Sequence, residues 1–360
     1  MAKRLSMFPM TRNLCAAARH PSLLQGYVFV DLMIPSFTGL EGQDISRVDG
    51  GDPANTLLVT YEASKLANCD VLMMDYEENW TDITAYRQVM EQAQTMGKEV
   101  VLSHALARQL KAEQATPLTW PGELPMQEDN DGDRLYEIRV PVIMVLGQGS
   151  RTDNFAVELA LRSYFIEMGY TVSQIGSHAA STFFGFGTLP DFLYEPRDAY
   201  EKTLKFNRYA KEMTLREKSH LLIVGVPDSI TKYNDRLLFG MGYIPQSVCN
   251  AVKCDEAILC LYHIGFNKMY LDELAQLCKY HLNAPTQFFN VANTWIKTEP
   301  PGAGNLEWSY VETSSAQVLR YLDKEDCGEY HMFNVLNSTS AHKACIAMKQ
   351  VLTDNVSAIR

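Results

Sequence analysis

Short apolar runs alternate with amphipathic stretches through the first third of the chain. Tyr27–Ile34 is apolar at nearly every position, which is typical of a parallel strand buried on both faces. Residues 81–96 have helical spacing of apolar positions and are followed by Gly97, a common helix terminator. The pattern predicts further strands at Arg4–Phe8, Val71–Met74 and Val100–Leu102. Alternating strands and helices predict a parallel, Rossmann-like sheet.

A second alternation of strands and helices begins at Pro141. Pro141–Leu146 and Leu221–Val226 are strongly apolar and are predicted to be buried strands. Other predicted strands are Thr171–Ile175, Ala257–Tyr262, Gln287–Val291 and Trp308–Glu312, and the predicted helices are Asp153–Met168, Asp198–Lys218, Met269–Leu282 and part of His342–Leu352. The chain is therefore predicted to be an α/β protein with two parallel-sheet domains, the second of them P-loop-like.

The segment between the two patterns is predicted to be a linker. It contains Pro117, Pro121 and Pro125, and then the acidic run Glu128–Asp133. We therefore predict an N-terminal domain at 1–115, a linker at 116–136 and a C-terminal domain at 137–360. Ligands of such domains bind at the carboxyl ends of the strands, so a site in the interdomain cleft is expected.

The stretch Val142–Asp153 passes directly from a strand through a glycine-containing loop into a helix. Backbone N–H groups in such a loop, together with a helix N-terminus, can surround a phosphate. The candidate ligand-binding residues are Gly147, Gln148, Gly149, Ser150, Arg151 and Thr152. Compared with G-x-x-x-x-G-K-[ST], Arg151 replaces the lysine and Thr152 keeps the hydroxyl, while both glycines are lost. The alternative is an ordinary turn in which Thr152 or Asp153 caps the helix.

The degenerate loop predicts ATP or GTP as ligand and leaves Mg²⁺ open. Gly225 stands where P-loop proteins carry a metal-directing aspartate at the end of a strand. Asp228 is the nearest replacement and also a catalytic candidate, so Thr152 and Asp228 are metal ligands only if Mg²⁺ binds. Asp228 can equally cap a turn. Asn290, at the end of another strand, is a candidate to pair with a purine edge, or is an ordinary loop residue.

Two Cys/His pairs and one further histidine are also candidate sites. Cys260 and His263, and Cys278 and His281, have zinc-like spacing, but the first pair points to opposite faces of a strand, so no zinc is expected. His178 follows a strand end and is a candidate acid or base, or else a loop histidine.

The N-terminal domain offers one candidate ligand loop. The segment Gly39–Asp52 is rich in glycine and aspartate and can be read as a ligand loop or simply as turns. A G-x-G-x-x-G motif does not follow the first strand, so a dinucleotide site is not expected there.

Composition restricts the classes of partner. The formal net charge is -11 over 360 residues, and basic residues form no cluster, which argues against nucleic acid and anionic membranes. No apolar stretch is long enough to span a membrane, and the N-terminus lacks the features of a signal peptide. Eight scattered cysteines in a chain of this size are typical of reduced thiols, so a cytoplasmic location is expected.

Several phrases resemble the clostridial peptide-maturation-system proteins. They are Val140–Ser177, Phe184–Phe186, Leu222–Ser229 and the Gly39–Gly51 loop. The resemblance implies a role in maturing a ribosomally synthesised, post-translationally modified peptide, with a precursor peptide and a radical SAM enzyme as partners. It implies no particular reaction. More distantly, the second domain is similar to dethiobiotin-synthetase-like P-loop proteins, but it departs from them at the loop lysine, the loop glycines and the strand-end aspartate.

Three functions follow as hypotheses. The first is an accessory or biosynthetic protein that binds a nucleotide during peptide maturation. The second is a non-catalytic adaptor for the precursor peptide or the radical SAM partner. The third is an α/β enzyme that acts on a small acid with His178 and the Gly39–Asp52 loop in the interdomain cleft. The sequence leaves the oligomeric state open, a homo-oligomer included.

Overall fold

A computed structural model describes residues 2–77, 80, 82–111, 134–235, 237–298 and 308–358. The chain forms two compact units, the first made of Met1–Glu123 and His178–Thr188 and the second of Leu124–Ser177 and Leu189–Arg360. Most of the predicted linker at 116–136 lies outside the described residues, so the domain boundaries drawn from the sequence stay a prediction. The assignment of 178–188 to the first unit had no signal in the hydrophobic pattern.

The first unit contains a five-stranded parallel sheet. Its strand order is β3-β2-β1-β4-β5, so the chain changes direction across the sheet between β1 and β4. The strands are β1 Lys3–Phe8, β2 Tyr27–Ile34, β3 Val59–Thr60, β4 Val71–Met74 and β5 Glu99–Leu102; the helices are α1 Arg12–Ala18, α2 Ser46–Asp49, α3 Ile83–Thr95 and α4 His104–Leu110. In α3, Asp82 caps the first turn, and Tyr86, Val89 and Ala93 form the buried face.

Burial of β2 differs from the sequence prediction. Only Leu32, Met33 and Ile34 are buried, whereas Val28 is 47% exposed and Val30 is 40% exposed. The prediction of burial on both faces is therefore wrong for the first half of this strand. The reason is topological: β3 pairs only with Met33 and Ile34, so the first half of β2 lies at the edge of the sheet.

The segment 178–188 is bound to the first unit by specific contacts. Residues Ala179–Phe184 form a 3-10 helix. The carbonyl oxygen of Phe183 accepts a hydrogen bond from the amide of Gln25 at 2.9 Å, and its ring meets Tyr27 edge-on with 5.0 Å between centroids. These contacts fix the position of His178 at the start of the segment.

The second unit is built on a larger parallel sheet. Six of the seven strands of this sheet belong to the unit, in the order β14-β11-β10-β6-β9-β7. These six strands are β6 Val142–Gly147, β7 Val172–Gly176, β9 Leu221–Gly225, β10 Glu256–Leu261, β11 Thr286–Val291 and β14 His331–Phe333; β8 Gly187–Thr188 falls in the first unit. The second unit also contains β12 Thr294–Thr298 and β13 Trp308–Glu312, and the helices α5 Asn154–Glu167, α6 Ala199–Glu217, α7 Tyr243–Ala251, α8 Lys268–His281, α9 Ser315–Leu322 and α10 Ser338–Ala358.

The centre of this sheet is β6, and each of its residues is buried. In register, Val145 pairs with Gly225 of β9 on one side and with Ile258 of β10 on the other. The carboxyl ends of the three strands therefore meet around the loop that follows β6. The prediction of an α/β fold with two parallel sheets is confirmed.

Beside the large sheet, β12 and β13 pair antiparallel as a separate ribbon. This ribbon follows β11 directly, which brings Tyr310 and Glu312 of β13 to the loop after β6. Among the described residues, no helix has the length and apolar character needed to cross a membrane.

Two glycines of the second unit separate the cost of steric overlap from the cost of backbone strain. Gly242 and Gly169 both have positive φ, at 79° and 84°. A Cβ on Gly242 would lie 2.5 Å from the carbonyl oxygen of Ile230, whereas a Cβ on Gly169 would meet nothing within 4 Å. We expect Gly169→Ala to cost about 1–2 kcal/mol of unfolding free energy from backbone strain. Gly242→Ala should cost about 1–3 kcal/mol more from overlap.

Urea unfolding of the two variants beside the wild type measures both terms. Equal losses in the two variants would show that the 230–242 segment relaxes freely, contrary to this expectation.

Candidate functional site

The candidate phosphate loop has the backbone of a tight strand-to-helix turn. Arg151 and Asp153 both have positive φ, at 60° and 65°, and α5 begins at Asn154. Asp153 makes no side-chain capping bond to the helix. The alternative in which Asp153 caps the helix is therefore wrong, and other contacts must give the turn its shape.

Two amide groups of the loop make no hydrogen bond within the described part of the chain. The amide of Gln148 donates to the carbonyl oxygen of Cys260 at 3.0 Å, and residues 150 and 151 form a turn closed by Gly149 and Thr152, but the amides of Gly149 and Ser150 meet no acceptor among the described residues. The hydroxyl of Thr152 donates across the loop to the carbonyl oxygen of Gly149 at 2.9 Å. The loop thus closes on itself while leaving N–H groups available to an external acceptor.

Arg151 is held by the ribbon of β12 and β13. Its guanidinium lies 3.0 Å from a carboxylate oxygen of Glu312 and 4.8 Å above the ring of Tyr310. The hydroxyls of Tyr310 and Ser150 lie 2.5 Å apart. The contact of Arg151 with a bound anion stays a prediction. In this conformation the guanidinium is already paired with the carboxylate of Glu312.

Aromatic side chains pack directly on the loop and explain Gly149. A Cβ on Gly149 would overlap the hydroxyl of Tyr262 and the ring of Phe239. The same hydroxyl donates to the carbonyl oxygen of Ser150 at 2.6 Å, and the Tyr262 and Tyr310 rings stack with centroids 6.3 Å apart. Gly149 is therefore needed for close packing, while its φ is not in the left-handed region.

Gln148 links the loop to two other elements. Its side-chain oxygen accepts from the amide of Tyr262 at 3.1 Å, and its side-chain nitrogen donates to the hydroxyl of Tyr270 at 2.6 Å. Both ends of this amide are thus engaged with the protein. Gln148 positions the loop on β10 and α8, and its predicted contact with a ligand stays a prediction.

Asn290 has the same kind of role from β11. It is fully buried, its side-chain nitrogen donates to the carbonyl oxygen of Thr152 at 3.2 Å, and its oxygen accepts from the amide of Val335 at 2.9 Å. The structure thus brings Asn290 to the loop, as the sequence suggested, but aims its amide at the backbone. The purine contact stays a prediction, and the observed contacts support the loop directly.

A buried carboxyl group that the sequence analysis missed lies at the end of β9, beside Gly225, the position where P-loop proteins carry an aspartate. A Cβ on Gly225 would overlap the carboxyl group of Glu158 from α5. That carboxyl accepts from the amide of Ser177 at 3.1 Å and from its hydroxyl at 2.5 Å. Burial raises the pKa of Glu158 to about 7, against the opposing effect of the Ser177 hydrogen bonds. The signal was present as one acidic residue within the apolar run Phe155–Leu161.

Asp228 is exposed and lies beside a different loop. Its carboxyl group is within 3.0 Å of the position that a Cβ on Gly240 would take, and the next amide, that of Ser229, donates to the carbonyl oxygen of Phe239. Thr152 contacts Gly149, Asn154 and Asn290 instead. A joint metal site of Thr152 and Asp228 stays a prediction. No group of three or more His, Cys, Asp or Glu side chains is arranged to hold a metal in the described ranges.

His178 joins a buried polar cluster in the first unit. Its Nε2 lies 3.3 Å from a carboxylate oxygen of Asp75, and its Nδ1 accepts from the amide of Ala180 at 3.2 Å. Thr11 donates to the same Asp75 at 2.5 Å. Burial alone would raise the pKa of Asp75, but His178, Thr11 and Ser103 outweigh it and hold the pKa below its ordinary value. Nδ1 of His178 is therefore taken by a backbone amide, and Nε2 lies at ion-pair distance from Asp75.

The Gly39–Asp52 loop is closed by its own carboxylates. Asp49 is buried and receives two hydrogen bonds from Arg19, at 2.7 and 2.8 Å. Asp44 accepts from the amides of Ser46, Ala54 and Thr56. Burial opposes ionisation of Asp44, but these amides lower its pKa to about 2. The aspartates that suggested a ligand loop thus hold the turns together.

Comparison with known proteins shows the fold and little beyond it. No protein-family model and no curated protein matches the chain. Among solved structures, a DUF1611 family protein from Anabaena variabilis is similar with a TM-score of 0.51 and 10% identity, over 81% of this chain and 88% of that one. At this identity the likeness supports a shared α/β fold alone.

Two other structures are less similar. A pseudomurein peptide ligase type C from Methanothermus fervidus has a TM-score of 0.29 and 10% identity, over 84% of this chain and 53% of that one. Chloroplast FtsY from Physcomitrella patens has a TM-score of 0.27 and 15% identity, over 44% of this chain and 52% of that one. Likeness this low carries no argument about fold or activity.

The raised pKa of Glu158 predicts a pH-dependent stability. The ordinary pKa is 4.5 and the folded value is about 7. The folded state therefore binds the proton more tightly, and stability should fall as pH rises from 4.5 to 7. At about 1.4 kcal/mol per pKa unit, the fall is about 3 kcal/mol. Glu158→Gln cannot lose this proton, so its unfolding free energy relative to the wild type should grow by that amount.

Urea unfolding of both proteins between pH 4.5 and 8 measures the difference. Glu201→Gln is the control, because the pKa of that exposed carboxyl is lowered by Lys205 and Arg197 and its loss should not produce the same trend. A pH-independent difference between Glu158→Gln and the wild type would contradict the buried, protonated state.

Proposed function

We propose that the second unit binds the phosphate groups of ATP or GTP at the loop after β6 without efficient hydrolysis. The observation that supports this most is the pair of loop amides, of Gly149 and Ser150, with no acceptor among the described residues. They lie at the carboxyl end of β6, where the strand order of the sheet reverses, and such positions bind ligands in open α/β sheets. Backbone amides in a tight turn suit an anion.

The wider role we propose is in maturation of a ribosomally synthesised peptide. It rests on the resemblance of Val140–Ser177 and Leu222–Ser229 to the clostridial peptide-maturation-system proteins. The partners would be a precursor peptide and a radical SAM enzyme. Calorimetry of the purified chain with a precursor peptide of the clostridial peptide-maturation systems tests this role, and absent heat at micromolar concentrations would count against it.

A non-catalytic adaptor is the second candidate. The observation that favours it is the ion pair of Arg151 with Glu312, because a cation already neutralised attracts a phosphate less strongly. The loop also lacks the lysine, and β9 lacks the aspartate, of hydrolytic P-loop proteins. An enzyme that uses His178 as acid or base has less support, since both nitrogens of that ring already have partners.

Nucleotide binding should raise the melting temperature, because a ligand that binds only the folded state stabilises it. In Arg151→Ala, we expect the binding free energy to weaken by about 1.5–3 kcal/mol, the usual size of a charged hydrogen bond. Arg197→Ala is the matched control, since Arg197 also pairs with glutamates in the same unit but is exposed, in the turn that precedes α6.

A thermal-shift titration with ATP, GTP and inorganic phosphate, followed by calorimetry, measures these effects. Equal affinities in Arg151→Ala and the wild type would show that the arginine does not touch the ligand. No shift with any of the three ligands would leave the adaptor as the better account.

Hydrolysis should be very slow or absent. Magnesium and a loop lysine normally offset the charge that develops on the phosphates, and here the lysine is replaced by a paired arginine. We expect phosphate release well below about 1 s⁻¹, the low end of ordinary turnover numbers. Phosphate release assays with and without precursor peptide measure it, and faster turnover abolished by Asp228→Asn would show that Asp228 acts in catalysis.

A further inference from the structure

At the end of β9, a glycine, Gly225, lies against the carboxyl group of Glu158 from helix α5. Gly225 pairs with Val145, the position two residues before the end of β6, and so occupies the place of the strand-end aspartate in P-loop proteins. A Cβ there would overlap the carboxyl carbon and both carboxylate oxygens of Glu158. The carboxyl of Glu158 therefore fills the volume that an aspartate at position 225 would use.

Glu158 reaches this volume because of its place on α5. It lies four residues after Asn154, the first residue of the helix, and helical side chains lean toward the N-terminus, which here is the loop end. Asn154 itself donates to the carbonyl oxygen of Val226, and its side-chain oxygen lies 2.7 Å from the hydroxyl of Thr152. The first turn of the helix thus places Asn154 and Glu158 at the end of β9, and Thr152 lies beside Asn154.

The carboxyl group is held in a defined orientation. Glu158 is fully buried, and Ser177 donates its amide to one carboxylate oxygen and its hydroxyl to the other. Each oxygen has two lone pairs, so one remains on each after these bonds. Together with a hydroxyl at Thr152, a carboxylate oxygen is the donor set that Mg²⁺ takes when it binds a nucleotide. By the chemistry of their donor atoms, Glu158 and Thr152 thus fit the metal.

We propose that Glu158 supplies from the helix the metal-directing carboxylate that P-loop proteins supply from the strand, and that Gly225 is glycine because it must make room for it. This inference rests on the proposed nucleotide site. When bound, Mg²⁺ would offset the charge of the nucleotide phosphates, with Glu158 and Thr152 as the protein groups that hold it. Glu158 thus takes the place assigned above to Asp228.

The test separates metal-dependent from metal-independent binding. Calorimetry gives the affinity for ATP at constant pH, once with EDTA and once with Mg²⁺, and Mn²⁺ binding in the presence of ATP is followed by electron paramagnetic resonance. We expect Glu158→Gln to keep the affinity measured in EDTA and to lose about 10- to 100-fold of the gain that Mg²⁺ gives, with a matching loss of the bound Mn²⁺ signal.

Two variants are matched to this change. Glu256→Gln removes another buried carboxyl of the second unit, whose pKa burial also raises to about 7 and which accepts from Gln287 at the opposite end of β10. It should leave the metal-dependent gain unchanged. The double variant Glu158→Ala with Gly225→Asp returns the carboxylate to the strand and should recover part of the gain, which a purely structural role of Glu158 would not allow.

The outcomes are distinct for the two proposals. A full Mg²⁺ gain in Glu158→Gln, or a gain lost in Asp228→Asn instead, overturns the role of Glu158 while leaving the nucleotide site standing. Affinity absent in EDTA and in Mg²⁺ alike overturns the nucleotide site and this inference with it. If Glu158→Gln unfolds, as circular dichroism would show, the double variant and its Mn²⁺ signal decide the matter, and no recovery there counts against the proposal.

Discussion

The loop after β6 has its shape because Gly149 carries no side chain. Tyr262 and Phe239 occupy the space where a Cβ would be, and the Tyr262 hydroxyl holds the carbonyl of Ser150. Gln148 fastens the same loop to the backbone of Tyr262, just beyond the end of β10. The parallel pairing of β6 with β10 sets the distance over which these contacts can form. The conformation of the candidate site is therefore a consequence of strand register and close aromatic packing.

The charges around this loop differ from those of a hydrolytic P-loop site. Arg151 is a planar cation suited to bidentate contacts, and Glu312 already binds it. Any anion that contacts Arg151 must compete with that carboxylate. The contribution of Arg151 to binding is therefore the difference in free energy between its ion pair with the anion and its ion pair with Glu312. Glu158 is the opposite case, since no cation pairs with its carboxyl in the described part of the chain and neutral donors of Ser177 hold it. Burial of this kind favours the protonated form until a positive charge arrives.

The first unit contains a Rossmann-like strand order with its ligand position filled by the chain itself. Between β1 and β4, where such sheets bind ligands, lie Thr11 and Asp75, and His178 contacts Asp75 there. Nδ1 accepts from the amide of Ala180, and Nε2 lies 3.3 Å from a carboxylate oxygen of Asp75. These two contacts secure the 178–188 segment and place His178 beside Asp75.

The sequence by itself determined the α/β class, most of the strands and the position of the loop. Apolar runs such as Pro141–Leu146 and Leu221–Val226 carry this information, because a strand buried on both faces of a parallel sheet must be apolar throughout. Prediction of burial from the sequence failed where neighbouring strands decide the exposure of a residue. The first half of β2 is apolar and yet exposed, because β3 is short. Only the tertiary structure paired Glu158 with Gly225, Arg151 with Glu312 and His178 with Asp75, residues separated by 67, 161 and 103 positions. Such pairings depend on strand order and register, and local periodicity contains neither.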